Sequence, residues 1–242
     1  MPISGSADLS RFARLFPDAP AEVVPNIKFD RATAAAVSDT AEAEAVLGRR
    51  SGIRLLASAR REEEEILLGV VGRLAAMDDG GVTVVAPRHP HRFAAWEHGL
   101  RSLGIGYARR SQGRTDAKVV LWDRFGELNQ LYALADAVFV GGSMADLGGQ
   151  NMLEPLAHGR IPCVGPFTGN FAWATDGPSG LKAAHLLTTC ADADALVAAL
   201  AAPPARSRAE VGDDFARWLE PRRGGTRRSV GIIRAALSRT RS

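Results

Sequence analysis

The 242-residue chain is 46% hydrophobic, 24% charged and 6% aromatic, which excludes a disordered, collagenous or coiled-coil protein. No apolar run approaches the roughly 20 residues of a membrane span, and the opening MPISGSADLSRF has neither the basic nor the apolar region of a signal peptide. The formal charge of +3 is uneven: seven of the 30 basic residues, all Arg, fall within 222–242 without an acid, leaving 23 basic against 27 acidic elsewhere. The body, at net −4, therefore carries no basic footprint for nucleic acid.

Residues 1–30 predict one short helix followed by the apolar VVPNIKF. IRLLAS (53–58) predicts a strand. EEEEILLGVVGRLAAM (62–77) predicts a helix with Ile66, Leu67, Val70, Val71 and Leu74 on one face and its Glu run at the positive end of the dipole. VTVVAP (82–87) predicts a buried strand, and RFAAWEHGLRSLG (92–104) a helix stopped by Gly104. AKVVLWD (117–123) is the next strand, then a helix over 126–136, a strand over 137–142, a helix over 150–159 and a strand over 160–165. A Gly/Asn loop and short helix lead to a strand near 184–189 and helices over 192–203, 206–219 and 225–240. This alternation predicts an α/β fold, a Rossmann-like parallel sheet with helices on both faces. The two cysteines, Cys163 and Cys190, form no CxxC or ligand pattern and read as reduced thiols of a cytoplasmic protein.

Ligands of such sheets bind beyond the carboxyl ends of the strands. GGSMADLGGQNMLEP (141–155) runs from a buried strand through two Gly pairs into a helix at Asn151. Glycines admit a close ligand, a helix start offers N–H groups to phosphate, and Glu154 offers a carboxylate to a ribose diol. A plain glycine-rich turn with a dipole-serving Glu explains the same residues equally well. The pattern is not GxGxxG, which disfavours a nicotinamide site. In PRHPHRF (87–93), Arg88 suits bidentate clamping of phosphate or carboxylate, while a polar helix entry is the plainer reading. Asp123 in DRFGEL reads as a helix cap. Arg60 and Arg61 read as an anion site or, more simply, as a solvated face. No metal-ligand spacing and no nucleophilic triad is present. The Arg-rich last helix, with Val230, Ile232, Ile233 and Leu237, reads as a packed amphipathic helix, with anionic lipid as the other reading.

Taken in order, PNIKFD (25–30), LLASARREEEEI (55–66), APRHPHRF (86–93), DRFGELNQLYALADAVFVGGS (123–143), GGQNMLEP (148–155) and GPFTGNF (165–171) resemble one family. It is the 3-deoxy-D-manno-octulosonic acid (Kdo) transferases, in their C-terminal half, over about residues 8–238. The resemblance implies the C-terminal domain of a GT-B glycosyltransferase. It divides the chain into a remnant of a preceding acceptor domain (1–24), a donor-nucleotide domain (25–220) and a basic helix (221–242). It implies a metal-independent, inverting transfer of Kdo from CMP-Kdo to a lipid A precursor at the cytoplasmic face of the inner membrane. Ser58, Arg88, His89, Phe125, Gly126, Glu127, Gly142, Ser143, Gly149, Asn151 and Glu154 are the residues it assigns to the donor. The family's general base lies in its N-terminal domain, of which 1–24 match only the closing stretch, so the resemblance implies a partner: a separately encoded acceptor domain, or the rest of a longer chain. Arg60, Gln150 and Phe167 stand where the family pattern has His, and Arg124-Phe125 where it has Thr-Met. The alternatives are a nucleotide-sugar-binding module without catalysis, and another GT-B or related nucleotide-sugar enzyme.

Overall fold

The computed structural model describes residues 1–3, 5–32, 39–48 and 50–239. It contains two compact units, Ala34–Asp213 and Met1–Thr33 with Asp214–Ser242.

The larger unit is a seven-stranded parallel sheet. In chain order its elements are α1 (Ala41–Leu47), β1 (Ile53–Ala59), α2 (Glu64–Ala75), β2 (Val82–Pro87), α3 (Phe93–Ser102), β3 (Ala108–Arg109), β4 (Val119–Leu121), α4 (Leu128–Leu134), β5 (Ala137–Val140), α5 (Leu153–Ala157), β6 (Pro162–Val164), β7 (Thr188–Thr189) and α6 (Ala193–Ala201). The strands lie in the order β3-β4-β2-β1-β5-β6-β7. Without the two-residue edge strand β3, this is the Rossmann order 3-2-1-4-5-6, whose direction reverses between β1 and β5.

The strand runs are apolar on both faces because both are covered. Leu56, Val85, Leu121 and Phe139 join Leu67, Val70, Val71, Leu74, Trp96 and Leu200 of α2, α3 and α6 in one core cluster. Leu55, Val84, Val120 and Val138 are also fully buried, as are Val46 and Leu47 of α1, Leu131 and Tyr132 of α4 and Leu153 and Leu156 of α5.

Several elements differ from the sequence reading. The helix expected from residue 62 begins at Glu64, because Arg61–Glu63 forms a 3-10 turn. Its buried face runs through Glu63, Leu67, Val70, Val71 and Leu74, whereas Ile66, assigned to that face, is exposed. The helix expected over 150–159 shrinks to Leu153–Ala157, since Gly148 and Gly149 take positive φ and Asn151 precedes the helical turn. The strand near 184–189 keeps only Thr188–Thr189. β3 and α1 carry no apolar run strong enough to have been anticipated.

In the smaller unit, Pro2–Ile3 pairs in parallel with Glu22–Val23, joined by the helix Ser6–Leu15. Phe29 meets Trp218 edge-on at 5.6 Å, and Phe215 stacks on Trp218 at 5.9 Å. The Asp30 carboxylate accepts the Gly224 and Thr226 amides, each at 2.6 Å. It thereby caps the helix Gly225–Arg239 from nearly 200 residues away in sequence. That helix does not pack its apolar residues as expected: Val230, Ile233 and Leu237 are exposed.

Candidate functional site

The site lies at the carboxyl ends of β1, β2, β4 and β5, on both sides of the strand-order reversal. β1 ends in a bulge at Ser58, whose φ of 57° is left-handed. A non-glycine residue held there carries strain on the order of 1 kcal/mol, which a fold retains only where its surroundings enforce it. The enforcing neighbour is Gly141 at the end of β5: a Cβ on it would lie 2.5 Å from the Ser58 carbonyl oxygen. Only glycine permits this contact, and the contact brings the two loops together.

Glu63 then ties those loops. Its side chain is fully buried. Oε2 accepts the Arg60 amide at 3.2 Å and the Gly142 amide at 2.6 Å, and Oε1 accepts the Ser143 and Met144 amides, each at 2.8 Å. The rest of the glycine loop closes on itself, with Gly149 N–H donating to Gly142 at 2.6 Å and Gln150 N–H to Gly141 at 3.0 Å. Ser143 is fully buried, its hydroxyl donating to the Val140 carbonyl at 2.7 Å and accepting the Gly165 amide at 2.9 Å. Gly142 and Ser143 thus build the loop, and their amides are already used.

The open part of the site is a pocket lined by Ser58, Arg88, Phe125 and Gly126, with Pro87, Trp122, Arg124 and Leu128 behind them. Arg88 is exposed, and its guanidinium has no carboxylate partner among the described residues. Phe125 is 52% exposed at the rim. His89 stacks on His91 at 5.4 Å. Burial first, then the charges of Arg60, Arg88 and His91, hold His89 below the ordinary imidazole value, against the opposing pull of Glu62. The guanidinium charges of Arg60 and Arg88 therefore stand beside His89, with Glu62 3.9 Å from Arg60 as the opposing charge, and positive potential of this kind favours an anion. Arg92 does not join them: Glu64 takes its Nε and Nη2 at 2.8 and 2.5 Å.

Two carboxylates assigned to the donor part company. Glu127 is buried, and it accepts Trp122 Nε1 at 2.9 Å and Arg110 at 2.9 and 3.1 Å, with Arg124 at 3.2 Å. Its lone pairs are spent inside the fold. Glu154 is half-buried and accepts the Asn151 side-chain amide at 2.8 Å and the Tyr132 hydroxyl. Burial and then the Glu154 charge push the Tyr132 phenol well above its usual range, so it remains a donor. Glu154 and Asn151 stay beside the glycine loop, where Asn151 also accepts the Leu153 amide at 3.3 Å. Asp123 is not a helix cap: it accepts the Ser111 amide and hydroxyl at 2.9 and 2.6 Å. Among the described residues no three His, Cys, Asp or Glu side chains converge as a metal site.

The structure thus brings Ser58, Arg88, Phe125 and Gly126 into one pocket, and Gly142, Ser143, Gly149, Asn151 and Glu154 into the adjoining loop, with His89 beside Arg88. It turns Glu127 inward. Sequence reasoning missed Glu63, hidden in a run of four Glu. Its place four and seven residues before Leu67 and Val70, on the buried helical face, was the available signal.

No family model matches the chain. It is 35% identical over 218 residues to the 3-deoxy-D-manno-octulosonic acid transferase of Bordetella pertussis, covering 87% of this chain and 50% of that protein. It is 30% identical over 236 residues to the transferase of the same name from Haemophilus influenzae, covering 95% and 55%. Among solved structures, the C-terminal CMP-Kdo binding domain of WaaA from Acinetobacter baumannii aligns with a TM-score of 0.60 and 27% identity, over 80% of this chain and 99% of that domain. The chain is a homologue of the C-terminal half of the Kdo transferases. It spans about half the length of the curated relatives it matches. Its α/β fold is that of the C-terminal domain of a GT-B glycosyltransferase. Of the stretches that carried the resemblance, LLASARREEEEI (55–66), APRHPHRF (86–93), DRFGELNQLYALADAVFVGGS (123–143) and GGQNMLEP (148–155) contribute the loops at the carboxyl end of the sheet, whereas PNIKFD (25–30) belongs to the smaller unit.

Proposed function

We propose that this chain binds CMP-Kdo and serves as the donor half for transfer of Kdo to a lipid A precursor. Arg88 and His89 take the phosphate, the exposed face of Phe125 stacks on the base, and Glu154, held by Asn151 and Tyr132, accepts the ribose hydroxyls. The unpaired Arg88 guanidinium at the mouth of the Ser58–Phe125 pocket is the observation that carries this reading. No metal enters in this reading: the Arg88 guanidinium supplies the positive charge at the phosphate, and the His89 imidazole, held below its ordinary value, supplies a hydrogen bond. Inverting transfer needs a base beside the acceptor hydroxyl, and in this reading an N-terminal acceptor domain provides it. No helix among the described residues is long and apolar enough to cross a membrane. The reading places the reaction at the cytoplasmic face of the inner membrane through the lipid acceptor.

Calorimetry with CMP, UMP and GMP tests it. CMP is expected to bind best, and Arg88→Ala to weaken CMP by about tenfold or more, the scale of a lost charge-assisted contact, without lowering Tm. Absence of CMP binding overturns the reading. CMP binding with no Kdo transfer, when the acceptor half of a relative is supplied, replaces it with a binding module.

A further inference from the structure

We propose that Glu63 is a specificity-determining residue: an internal anion that fills the amide nest of the glycine loop and so restricts the site to donors with a single phosphate. The inference rests on the nucleotide-sugar reading above. Successive backbone N–H groups in a turn form a concave anion site, and Gly142, Ser143 and Met144 present three of them in a row at the strand-order reversal, where α/β sheets take their ligands. In this chain the nest is already filled. Both oxygens of the fully buried Glu63 are committed, at 2.6 and 3.2 Å for Oε2 and 2.8 and 2.8 Å for Oε1. No amide from Gly142 to Met144 remains for a ligand.

Among the described residues, the groups on the loops after β1 and β2 that can meet an anion are Arg88, which has no carboxylate partner, Arg60, which has Glu62 at 3.9 Å, and the His89 imidazole between their charges. That leaves one anion subsite. A nucleoside monophosphate donor needs one. A nucleoside diphosphate would have to set its second phosphate toward a nest that offers a buried carboxylate instead of free amides. Like charges so placed cost several kcal/mol in binding generally, so the carboxylate selects by repulsion as well as by occupancy. Glu63 touches no substrate in this scheme; it acts through the loop amides.

The test uses the full chain, with Glu63→Gln as the isosteric variant and Glu63→Ala as the variant that empties the nest. The wild type is expected to bind CMP at least about tenfold more tightly than CDP in metal-free buffer, and the variants to lose most of that preference. A second measurement needs no nucleotide. Inorganic phosphate or formate titrated into ¹⁵N-labelled Glu63→Ala protein is expected to shift the Gly142, Ser143 and Met144 amide signals saturably, with no such response in the wild type. A purely structural role moves neither the CMP-to-CDP ratio nor this rescue. Equal wild-type affinity for CMP and CDP, an unchanged ratio in a variant that still binds CMP, or silent amides in Glu63→Ala each overturn the inference. A wild type that binds neither nucleotide overturns instead the nucleotide-sugar reading on which the inference rests, while the anion titration still reports on the nest.

Discussion

Glu127→Ala separates a structural carboxylate from a ligand-binding one. The substitution removes the acceptor of Trp122 Nε1 and of two Arg110 nitrogens. The Glu127 and Arg110 side chains are only 8% and 12% exposed, so the pair is desolvated, and breaking a buried pair from one side costs about 3–5 kcal/mol. Arg110 keeps Glu42 at 3.0 Å, but that carboxylate is 61% exposed, and a pair with an exposed partner offsets about 1 kcal/mol at most. The orphaned indole N–H overlaps with the loss already counted, because both groups share one carboxylate. The expected destabilisation is about 3 kcal/mol, near the low end of the range for a broken buried pair. Urea unfolding followed by tryptophan fluorescence reads it, as a fall in midpoint at constant slope. Glu127→Gln keeps the indole acceptor and the shape, and is expected to lose less. A loss under about 1 kcal/mol, the range of exposed ion pairs, refutes the reasoning. So does a variant of wild-type stability that no longer binds CMP, since that would return Glu127 to the donor.

His158 and Gly165 give two further expectations. Burial, then the charge of Arg208, holds the His158 imidazole below its usual 6.5. The unfolded chain therefore takes up protons first as pH falls, so the stability this residue contributes is complete above 6.5 and is lost as pH drops through the lower folded value. As pH falls from 6.5 toward that lower value, Tm should drop more steeply in the wild type than in His158→Gln, and parallel curves would refute it. Gly165→Ala places a Cβ 2.1 Å from the Ser143 carbonyl oxygen. It should cost about 1–3 kcal/mol as an overpacking change, while Gly169→Ala, with nothing within 4 Å of its new Cβ, should stay within about 0.5 kcal/mol. Thermal unfolding of the pair checks it, and equal effects would count against the steric account.

The strands were legible because both faces of the sheet are covered, so Val82–Pro87 and its neighbours read as continuous apolar runs. The ends of the helices were not, because tertiary hydrogen bonds set them. Glu63 pulls Arg61–Glu63 into a 3-10 turn toward the glycine loop, and left-handed Gly148 and Gly149 delay α5 until Leu153. The site was legible as a set of loops, since Gly pairs and an Arg-His pair after apolar strands announce a strand end. What each carboxylate does there was not. Glu63, Glu127 and Glu154 look alike in sequence, and their roles follow from donors that the fold supplies: the amides of Gly142–Met144, some 80 residues on, for Glu63, Arg110 with nearby Trp122 for Glu127, and Tyr132 with nearby Asn151 for Glu154.

The same distinction bears on the positions where the chain departs from the family pattern. Arg60, Gln150 and Phe167 each stand in place of a His, and each contributes its backbone N–H to holding the site. Arg60 donates to Glu63 at 3.2 Å, Gln150 to the Gly141 carbonyl at 3.0 Å and Phe167 to the Ser143 carbonyl at 3.0 Å. A main-chain bond is indifferent to the side chain that carries it, so the scaffold survives all three replacements. What changes is what the loops present: a permanent guanidinium beside His89 at Arg60, an uncharged amide beside Gly142 at Gln150, and a 40% exposed ring at Phe167. Three groups that could exchange a proton near neutral pH have given way to three that cannot. At those three positions the loops therefore present charge and shape in place of imidazoles.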